Sequence, residues 1–207
     1  GMGAIKGVGE NAVQEIVSER EKNGPFRSIF DLVKRVNLRA VNRRCLEALA
    51  QAGAFDSFEG THRAQFFFAE DGGESGFLDR VIRYAQQYQE RRNAAQVSLF
   101  GGVEEKVLED PPMPQCPAWT RLDQLKREKD VTGFYIAGHP LDEYRFEVEH
   151  LAQVDLATLR QDLTPFKDKD ISFAGMVTAS TERTAKNGNL FGNFTIEDYS
   201  DSLNLPL

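Results

Sequence analysis

Two glycines near the start of the chain, Gly7 and Gly9, lie in the stretch best suited to binding chemistry. From Ile5 to Ala12 the sequence reads Ile-Lys-Gly-Val-Gly-Glu-Asn-Ala. Glycine adopts positive φ without Cβ strain, so a helix can end, reverse and restart here within a few residues. The first amides of the restarted helix have no intrahelical acceptor, and the helix dipole adds positive potential. The stretch therefore predicts a site for an anion such as a DNA phosphate.

A second small-residue stretch, Ala52 to Asp56, follows about forty residues later and reads Ala-Gly-Ala-Phe-Asp. Two such turns indicate a tandem pair of helix-hairpin-helix motifs, which hold the backbone phosphates of a duplex without reading its sequence. Each turn alone is also compatible with an ordinary glycine loop or helix C-cap, and the nearby arginines with a solvated helix face. The predicted duplex-binding residues are Lys6, Gly7, Val8, Gly9, Glu10, Asn11, Arg43, Arg44, Ala52, Gly53 and Ala54.

The charge distribution places a small basic excess beside the first turn. The chain has 207 residues and a net charge of −7, which by itself argues against nucleic acid. Residues 1–50, however, contain nine Lys or Arg and six Asp or Glu, whereas residues 64–207 contain fifteen and twenty-four. A modest, salt-sensitive contact with DNA is therefore expected near the start of the chain.

Composition bears on the class of protein and on the kinds of site. A hydrophobic fraction of 41% and a charged fraction of 28% are typical of a globular chain of one or two domains. No apolar run reaches membrane-spanning length and no signal peptide is visible, so we expect a cytoplasmic location and no membrane partner. The two cysteines and three histidines are scattered without metal-ligand spacing, and no nucleophile has a catalytic partner. We therefore expect no metal, cofactor or catalytic residue in this chain.

Capping residues and apolar stripes predict the helices that position the two turns. Asn11 to Lys22 forms an amphipathic helix, Ser28 precedes a second helix, and Asn42 caps a third. A proline-rich, acidic linker after Gly102 is predicted to be extended and poorly packed. Further helices are predicted to begin near Thr61 and to run from Phe77 to about Ala95, from Trp119 to about Val131 with Gly133 as cap, from Asp142 to His150, and from Leu156 to Asp162.

The last forty residues change from helical to strand patterning. Alternating apolar residues from Ile171 to Val177 predict one strand, and Leu190 to Glu197 a second. Asn187-Gly188, inside a basic turn over residues 183–189, is a strong hairpin signal. A third strand begins at Ser202, so the pattern predicts the start of a small β-barrel.

Three stretches together resemble the C-terminal half of the alpha subunit of bacterial DNA polymerase III. They are residues 5–10, residues 52–56 and residues 133–142, the last reading Gly-Phe-Tyr-Ile-Ala-Gly-His-Pro-Leu-Asp. The resemblance covers almost the whole chain, and the order of its motifs is more specific than any one motif. It implies a helix-hairpin-helix domain on the primer–template duplex, then a linker and an OB-fold on single-stranded template. It also implies that the catalytic carboxylates and their magnesium lie upstream, so that this chain is a catalytically empty fragment. We expect His139 to be a structural turn residue.

The same resemblance assigns residues 96–100, Gln-Val-Ser-Leu-Phe, to an internal sliding-clamp-binding motif. Leu99 and Phe100 would fill an apolar pocket on the clamp, while Gln96 forms hydrogen bonds at its rim. The alternative is that Leu99 and Phe100 close the core of the helical domain. The predicted clamp-binding residues are Gln96, Val97, Ser98, Leu99 and Phe100.

The implied OB-fold would bind single strands through cations and stacking aromatic rings. Arg183 and Lys186 are the phosphate candidates. Phe191 and Phe194 lie on opposite faces of one strand, so we predict that Phe191 is exposed for stacking and that Phe194 is buried. Packing of both rings in the core is the alternative.

These patterns predict a mostly α chain with a truncated OB-type β-barrel. The predicted domains are residues 1–102, a linker with connecting helices over 103–168, and the incomplete barrel over 169–207. The predicted function is DNA binding without sequence preference and clamp tethering within a replicative polymerase, with other replicase subunits as further partners. The alternatives are a helix-hairpin-helix module of a DNA repair enzyme and a protein-interaction scaffold.

Overall fold

The computed structural model describes residues 1–69, 75–97, 108–184 and 190–206, except for the side chains of residues 95–97. It divides into two compact units, Gly1–Ile136 and Ala137–Leu207. This division differs from the predicted boundaries at residues 102 and 168. The reason is that the helix Arg121–Thr132, assigned to the linker from sequence, packs on the helix Arg43–Gln51 of the first unit.

The first unit is helical and has a buried apolar core. The residues of this core that are fully enclosed include Val33, Leu46 and Phe77. The ring of Phe30 makes edge contacts with the rings of Phe77 and Tyr84, at centroid distances of 6.1 and 5.9 Å. The elements are a 3₁₀ turn Met2–Ala4 and helices α1 (Glu10–Asn23), α2 (Ile29–Arg35), α3 (Arg43–Gln51), α4 (Arg63–Phe67), α5 (Phe77–Val97) and α6 (Arg121–Thr132).

Side-chain caps fix the starts of three of these helices. Ser28, Asn42 and Thr120 each accept a hydrogen bond, at 3.1 Å, from the backbone amide three residues further on. Gly133 adopts a left-handed conformation after α6, and Gly24 has φ +83° after α1. Ser28, Asn42 and Gly133 therefore lie at helix ends where the sequence predicted them.

The proline-rich segment from Leu108 to Cys116, which we call the strap, packs on the first unit. Leu108 and Met113 contact the core, and Gln65 Nε2 donates to the Pro114 carbonyl at 2.9 Å. The strap's Asp110 carboxylate accepts a hydrogen bond from Lys34 Nζ at 2.6 Å. The expectation of a poorly packed linker is wrong for these residues, because their apolar side chains and backbone carbonyls have partners on the helices.

The second unit combines short helices with a three-stranded antiparallel sheet in the order β1-β2-β3. Leu156, Leu159 and Ile196 form its buried centre. Its elements are a 3₁₀ helix Pro140–Tyr144, α7 (Arg145–Leu151), α8 (Leu156–Gln161), a 3₁₀ helix Thr164–Phe166, β1 (Met176–Thr184), β2 (Leu190–Glu197) and β3 (Ser202–Pro206).

The first strand begins later than predicted. β1 starts at Met176, whereas the alternation of apolar residues begins at Ile171. Ile171 and Phe173 instead pack against the buried centre of the second unit. The alternation of apolar residues in this part of the sequence therefore reflects burial of every second side chain and not pairing with another strand.

The architecture as a whole is mostly helical, with a small antiparallel sheet consistent with a partial OB-type barrel. The predicted fold class is confirmed. In the described ranges, no helix has both the length and the apolarity needed to cross a membrane.

Candidate nucleic-acid interface

The first glycine turn lies directly before α1. Gly7 has φ +97°, which a residue with a side chain rarely adopts. Val8 is buried in the core of the first unit, and its amide donates to the Ile5 carbonyl at 3.0 Å. Gly9 is extended and forms the N-cap of α1. The buried valine thus anchors a turn whose flanking backbone faces outward.

The amides at the start of α1 are open. Gly9, Glu10 and Asn11 are exposed. The amides of Ala12 and Val13 both donate to the Gly9 carbonyl. Within the described part of the chain, no acceptor is paired with the amides of Gly9, Glu10 or Asn11. An anion can therefore be bound here by backbone donors at the positive end of a 14-residue helix.

A shallow cleft of about 300 Å³ adjoins this turn. Arg39 and Asn42, from the connection between α2 and α3, line it together with Gly9 and Asn11. Arg39 is exposed and was missed by sequence reasoning, because it lies outside both glycine motifs. A basic residue in a short loop just before Arg43 was the signal that could have indicated it.

Arg43 and Arg44 are adjacent in sequence but differ in environment. Arg44 packs over the first turn, since a Cβ placed on Gly7 would lie 3.5 Å from its Cγ. Its exposed guanidinium makes no ion pair with a described residue. Arg43, in contrast, binds Glu47 at 2.8 Å and Asp79 at 3.0 Å. Its charge is already balanced, whereas Arg44 adds a cation that has no ion pair among the described residues.

The second glycine turn is closed. Gly53 has φ +82°, as a left-handed C-cap requires. The amides of Ala52, Gly53 and Ala54 all donate to carbonyls at the end of α3, at 2.9 to 3.2 Å. These amides are therefore not free for a phosphate, and the two turns differ in what they can bind.

A buried arginine covers the second turn. The side chain of Arg63 is 7% exposed, and its guanidinium donates to Asp56 at 2.6 Å and to the Gln51 carbonyl at 3.0 Å. Its Nη1 binds Glu128 of α6 at 2.9 Å, and Glu128 is completely buried. Sequence reasoning missed this pair, since no local pattern links residues 65 positions apart.

The predicted single-strand residues that the structure describes are neighbours on the sheet. Arg183 of β1 lies directly opposite Phe191 of β2, so their side chains share one face. Phe191 is exposed, whereas Phe194 packs on the buried centre of the second unit. Lys186 lies outside the described residues.

The predicted clamp peptide overlaps the end of α5. Gln96 and Val97 are the last two residues of this helix. Ser98, Leu99 and Phe100 lie outside the described residues. Clamp binding by Leu99 and Phe100 therefore stays a prediction, and so does the alternative that these two residues close the core of the helical domain.

Histidine and acidic residues do not assemble into a reactive centre in the described ranges. His139 Nδ1 accepts a hydrogen bond from the Leu141 amide at 3.1 Å, which is the role of a turn residue. Among the residues that the structure describes, no three His, Cys, Asp or Glu side chains form a group that could hold a metal ion. The described site offers backbone donors and cations, which suit binding rather than bond making.

Comparison with known proteins agrees with this geometry. A family model described as a helix-hairpin-helix motif matches residues 1–66. The chain is 33% identical over its whole length to DNA polymerase III subunit alpha of Vibrio cholerae and 34% identical to that of Escherichia coli (strain K12). It is 33% identical, over 98% of its length, to the subunit of Thermus aquaticus. The resemblance to the DNA polymerase III alpha-subunit family is confirmed. The chain spans 15 to 17% of the length of these relatives.

The match over residues 1–66 contains both glycine turns and the arginines between them. The family resemblance and the open amides of α1 thus point to the same region. The relatives are polymerase subunits by name, and a match to so small a share of their length concerns a segment rather than the whole protein.

Proposed function

We propose that the first turn binds a backbone phosphate of duplex DNA without sequence preference. The observation that carries this proposal is the set of open amides of Gly9, Glu10 and Asn11 at the positive end of α1. Arg44, which packs over Gly7, supplies a cation beside these amides. The closed second turn serves as a support and does not contact phosphate.

Fluorescence anisotropy of a labelled duplex, titrated at several salt concentrations, tests this proposal. Gly9→Leu should abolish binding, since a bulky side chain obstructs the amides. Gly9 has no positive φ, and a Cβ placed on it would meet nothing within 4 Å, so we expect the fold to tolerate the change. Gly3→Leu, at a second open position, is the control. Normal binding by Gly9→Leu would contradict the proposal.

Two neighbouring arginines give a matched test of the cation. Arg44→Ala should weaken duplex binding and lower the slope of log affinity against log salt by about one. Arg43→Ala removes the same charge from the same helix, but this charge is bound to Glu47 and Asp79, so the slope should stay nearly unchanged. If the wild-type chain binds no duplex even at low salt, the proposed DNA binding is wrong and the chain is better explained as a protein-interaction scaffold.

We also propose that residues 96–100 bind a sliding clamp. The resemblance of Gln-Val-Ser-Leu-Phe to the family motif and the similarity of the whole chain to alpha subunits support this role. Leu99→Ala combined with Phe100→Ala should remove clamp binding in a pull-down, whereas Asn93→Ala, at an exposed position of α5 outside the motif, should keep it. Unchanged binding by the double variant would leave Leu99 and Phe100 as core residues.

We propose a weaker contact of the second unit with single-stranded DNA, through Arg183, Lys186 and Phe191. Its support is the shared face of Arg183 and the exposed ring of Phe191, an arrangement suited to phosphate contact and base stacking. Phe191→Ala should weaken binding of a labelled oligothymidylate. Leu190→Ala, at an even more exposed position of the same strand, should leave it unchanged.

In the cell, we propose that this chain acts as part of a cytoplasmic replicative DNA polymerase with other replicase subunits. Clamp attachment would keep the first turn at a high effective concentration near the duplex. A modest grip on DNA is then sufficient, because the contact need only position a duplex that the clamp retains.

A further inference from the structure

Helix α6 contacts both glycine turns, although it lies about 65 residues beyond the second turn in sequence. Glu128 and Val131 are one helical turn apart, so they lie on the same side of α6. Glu128 faces the second glycine turn through Arg63. Val131 faces the first glycine turn through its carbonyl oxygen.

The contact with the second turn is a buried ion pair. Arg63 and Glu128 are 7% and 0% exposed, and their closest atoms are 2.9 Å apart. Arg63 also donates to Asp56 and to the Gln51 carbonyl. One guanidinium thus joins α6 to the second turn and to the end of α3.

The contact with the first turn is a backbone hydrogen bond. The Lys6 amide donates to the Val131 carbonyl at 2.8 Å. Val131 is in the last turn of α6, where carbonyls have no intrahelical donor. Lys6 directly precedes Gly7, so this bond fixes the entry of the chain into the open turn.

We propose that α6 is a splint that positions the open phosphate-binding turn, and that Glu128 is its positioning residue. Glu128 holds α6 against Arg63, and the held helix presents the Val131 carbonyl to the Lys6 amide. The first turn thereby gains rigidity from a residue that touches no DNA. This inference rests on the proposed function of the first turn.

Glu128→Gln tests the splint with little change in side-chain size. It replaces a charged partner of Arg63 by a neutral one, so α6 should be held less firmly. In hydrogen exchange followed by NMR, the Lys6 amide should exchange roughly fivefold faster than in the wild type. Duplex affinity, measured by anisotropy, should fall by a similar factor.

Asp130→Asn is the matched control. Asp130 is exposed on the same helix, and the substitution removes the same single negative charge. A charge effect on DNA alone would tighten binding equally in both variants. The splint predicts weaker binding for Glu128→Gln, and unchanged or slightly tighter binding for Asp130→Asn.

Gly133→Ala tests the other end of α6 and decides the matter if Glu128→Gln does not fold. Gly133 has φ +87° in open space, so alanine there frays the last turn of α6 without touching Arg63. Faster exchange of the Lys6 amide is the expected result.

If the Lys6 amide exchanges at the wild-type rate in both folded variants, Glu128→Gln and Gly133→Ala, the splint proposal is wrong. Exchange that rises only at residues 52–63 would also overturn it, because Glu128 would then be a local support of the second turn. The exchange measurement needs no DNA, so it tests the splint even if the wild-type chain binds no duplex and the proposed function fails.

Discussion

Replacing Gly53 by alanine should destabilise the first unit far more than the same substitution at Gly60. Both glycines have positive φ, at +82° and +69°. A Cβ on Gly60 would meet nothing within 4 Å, whereas one on Gly53 would lie 2.7 Å from Cζ of Arg63 and 2.8 Å from Asp56 Oδ2. The guanidinium must therefore move.

The magnitude follows from these two sites. The backbone conformation costs about 1–2 kcal/mol for a residue with a Cβ, and this is the whole cost at Gly60. At Gly53 the displaced Arg63 also breaks its buried ion pair with Glu128, which costs about 3–5 kcal/mol. We therefore expect about 4–7 kcal/mol for Gly53→Ala, a large part of the stability of a small domain.

Urea unfolding followed by Trp119 fluorescence measures the difference. Trp119 is the single tryptophan of the chain and contacts Phe67 and Arg127, so it reports on the first unit. Free energies of unfolding for the two variants that agree within about 1 kcal/mol would refute the packing argument, since that would mean that Arg63 moves aside without loss.

Three further outcomes follow from other sites. Ser28→Ala should lower the free energy of unfolding by about 1 kcal/mol, measured by the same fluorescence assay, because it removes the cap of α2. Burial raises the pKa of the Cys45 thiol to about 11, so in an Ellman assay at pH 8 the partly exposed Cys116 should react first and Cys45 only after unfolding. Burial alone would raise the pKa of Asp198, but hydrogen bonds from the Leu156 amide, the Ser200 hydroxyl and neighbouring amides outweigh it and lower the pKa. The Asp198 carboxylate therefore stabilises the second unit fully above its unfolded-state pKa of about 3.9, and this stabilisation is lost as the pH falls through the lower folded-state pKa. In acid unfolding followed by NMR, the second unit of Asp198→Asn should therefore depend less steeply on pH than that of the wild type.

Local signals in the sequence predicted most of the helices. Ser28 and Asn42 cap helices where the pattern indicated, because capping depends on residues three positions apart. The first glycine turn was located for the same reason. Chain conformation at these sites is decided within a few residues.

Long-range pairing decided what the sequence could not predict. The second turn matches the first in its small residues, yet Arg63 fills the space above Gly53 and the turn's amides are used internally. The roles of Glu128 and Val131 depend on the docking of α6, which no periodicity reveals. The late start of β1 has a similar cause, since the packing of Ile171 and Phe173 imitates strand alternation.

The strap is fastened to the first unit by main-chain carbonyls as well as by the side chains of Leu108, Asp110 and Met113. Gln65 donates to the Pro114 carbonyl, His62 Nε2 lies 3.1 Å from the Cys116 carbonyl, and the Tyr84 hydroxyl lies 3.3 Å from the Leu108 carbonyl. Every residue type offers a carbonyl, so these contacts place little restriction on which side chains the strap carries. Evolution can therefore change the other residues of the strap without moving its path, while Leu108, Asp110, Met113 and the donors on the helices are constrained. Among homologues, we expect the sequence of the strap to vary more than the path of its backbone.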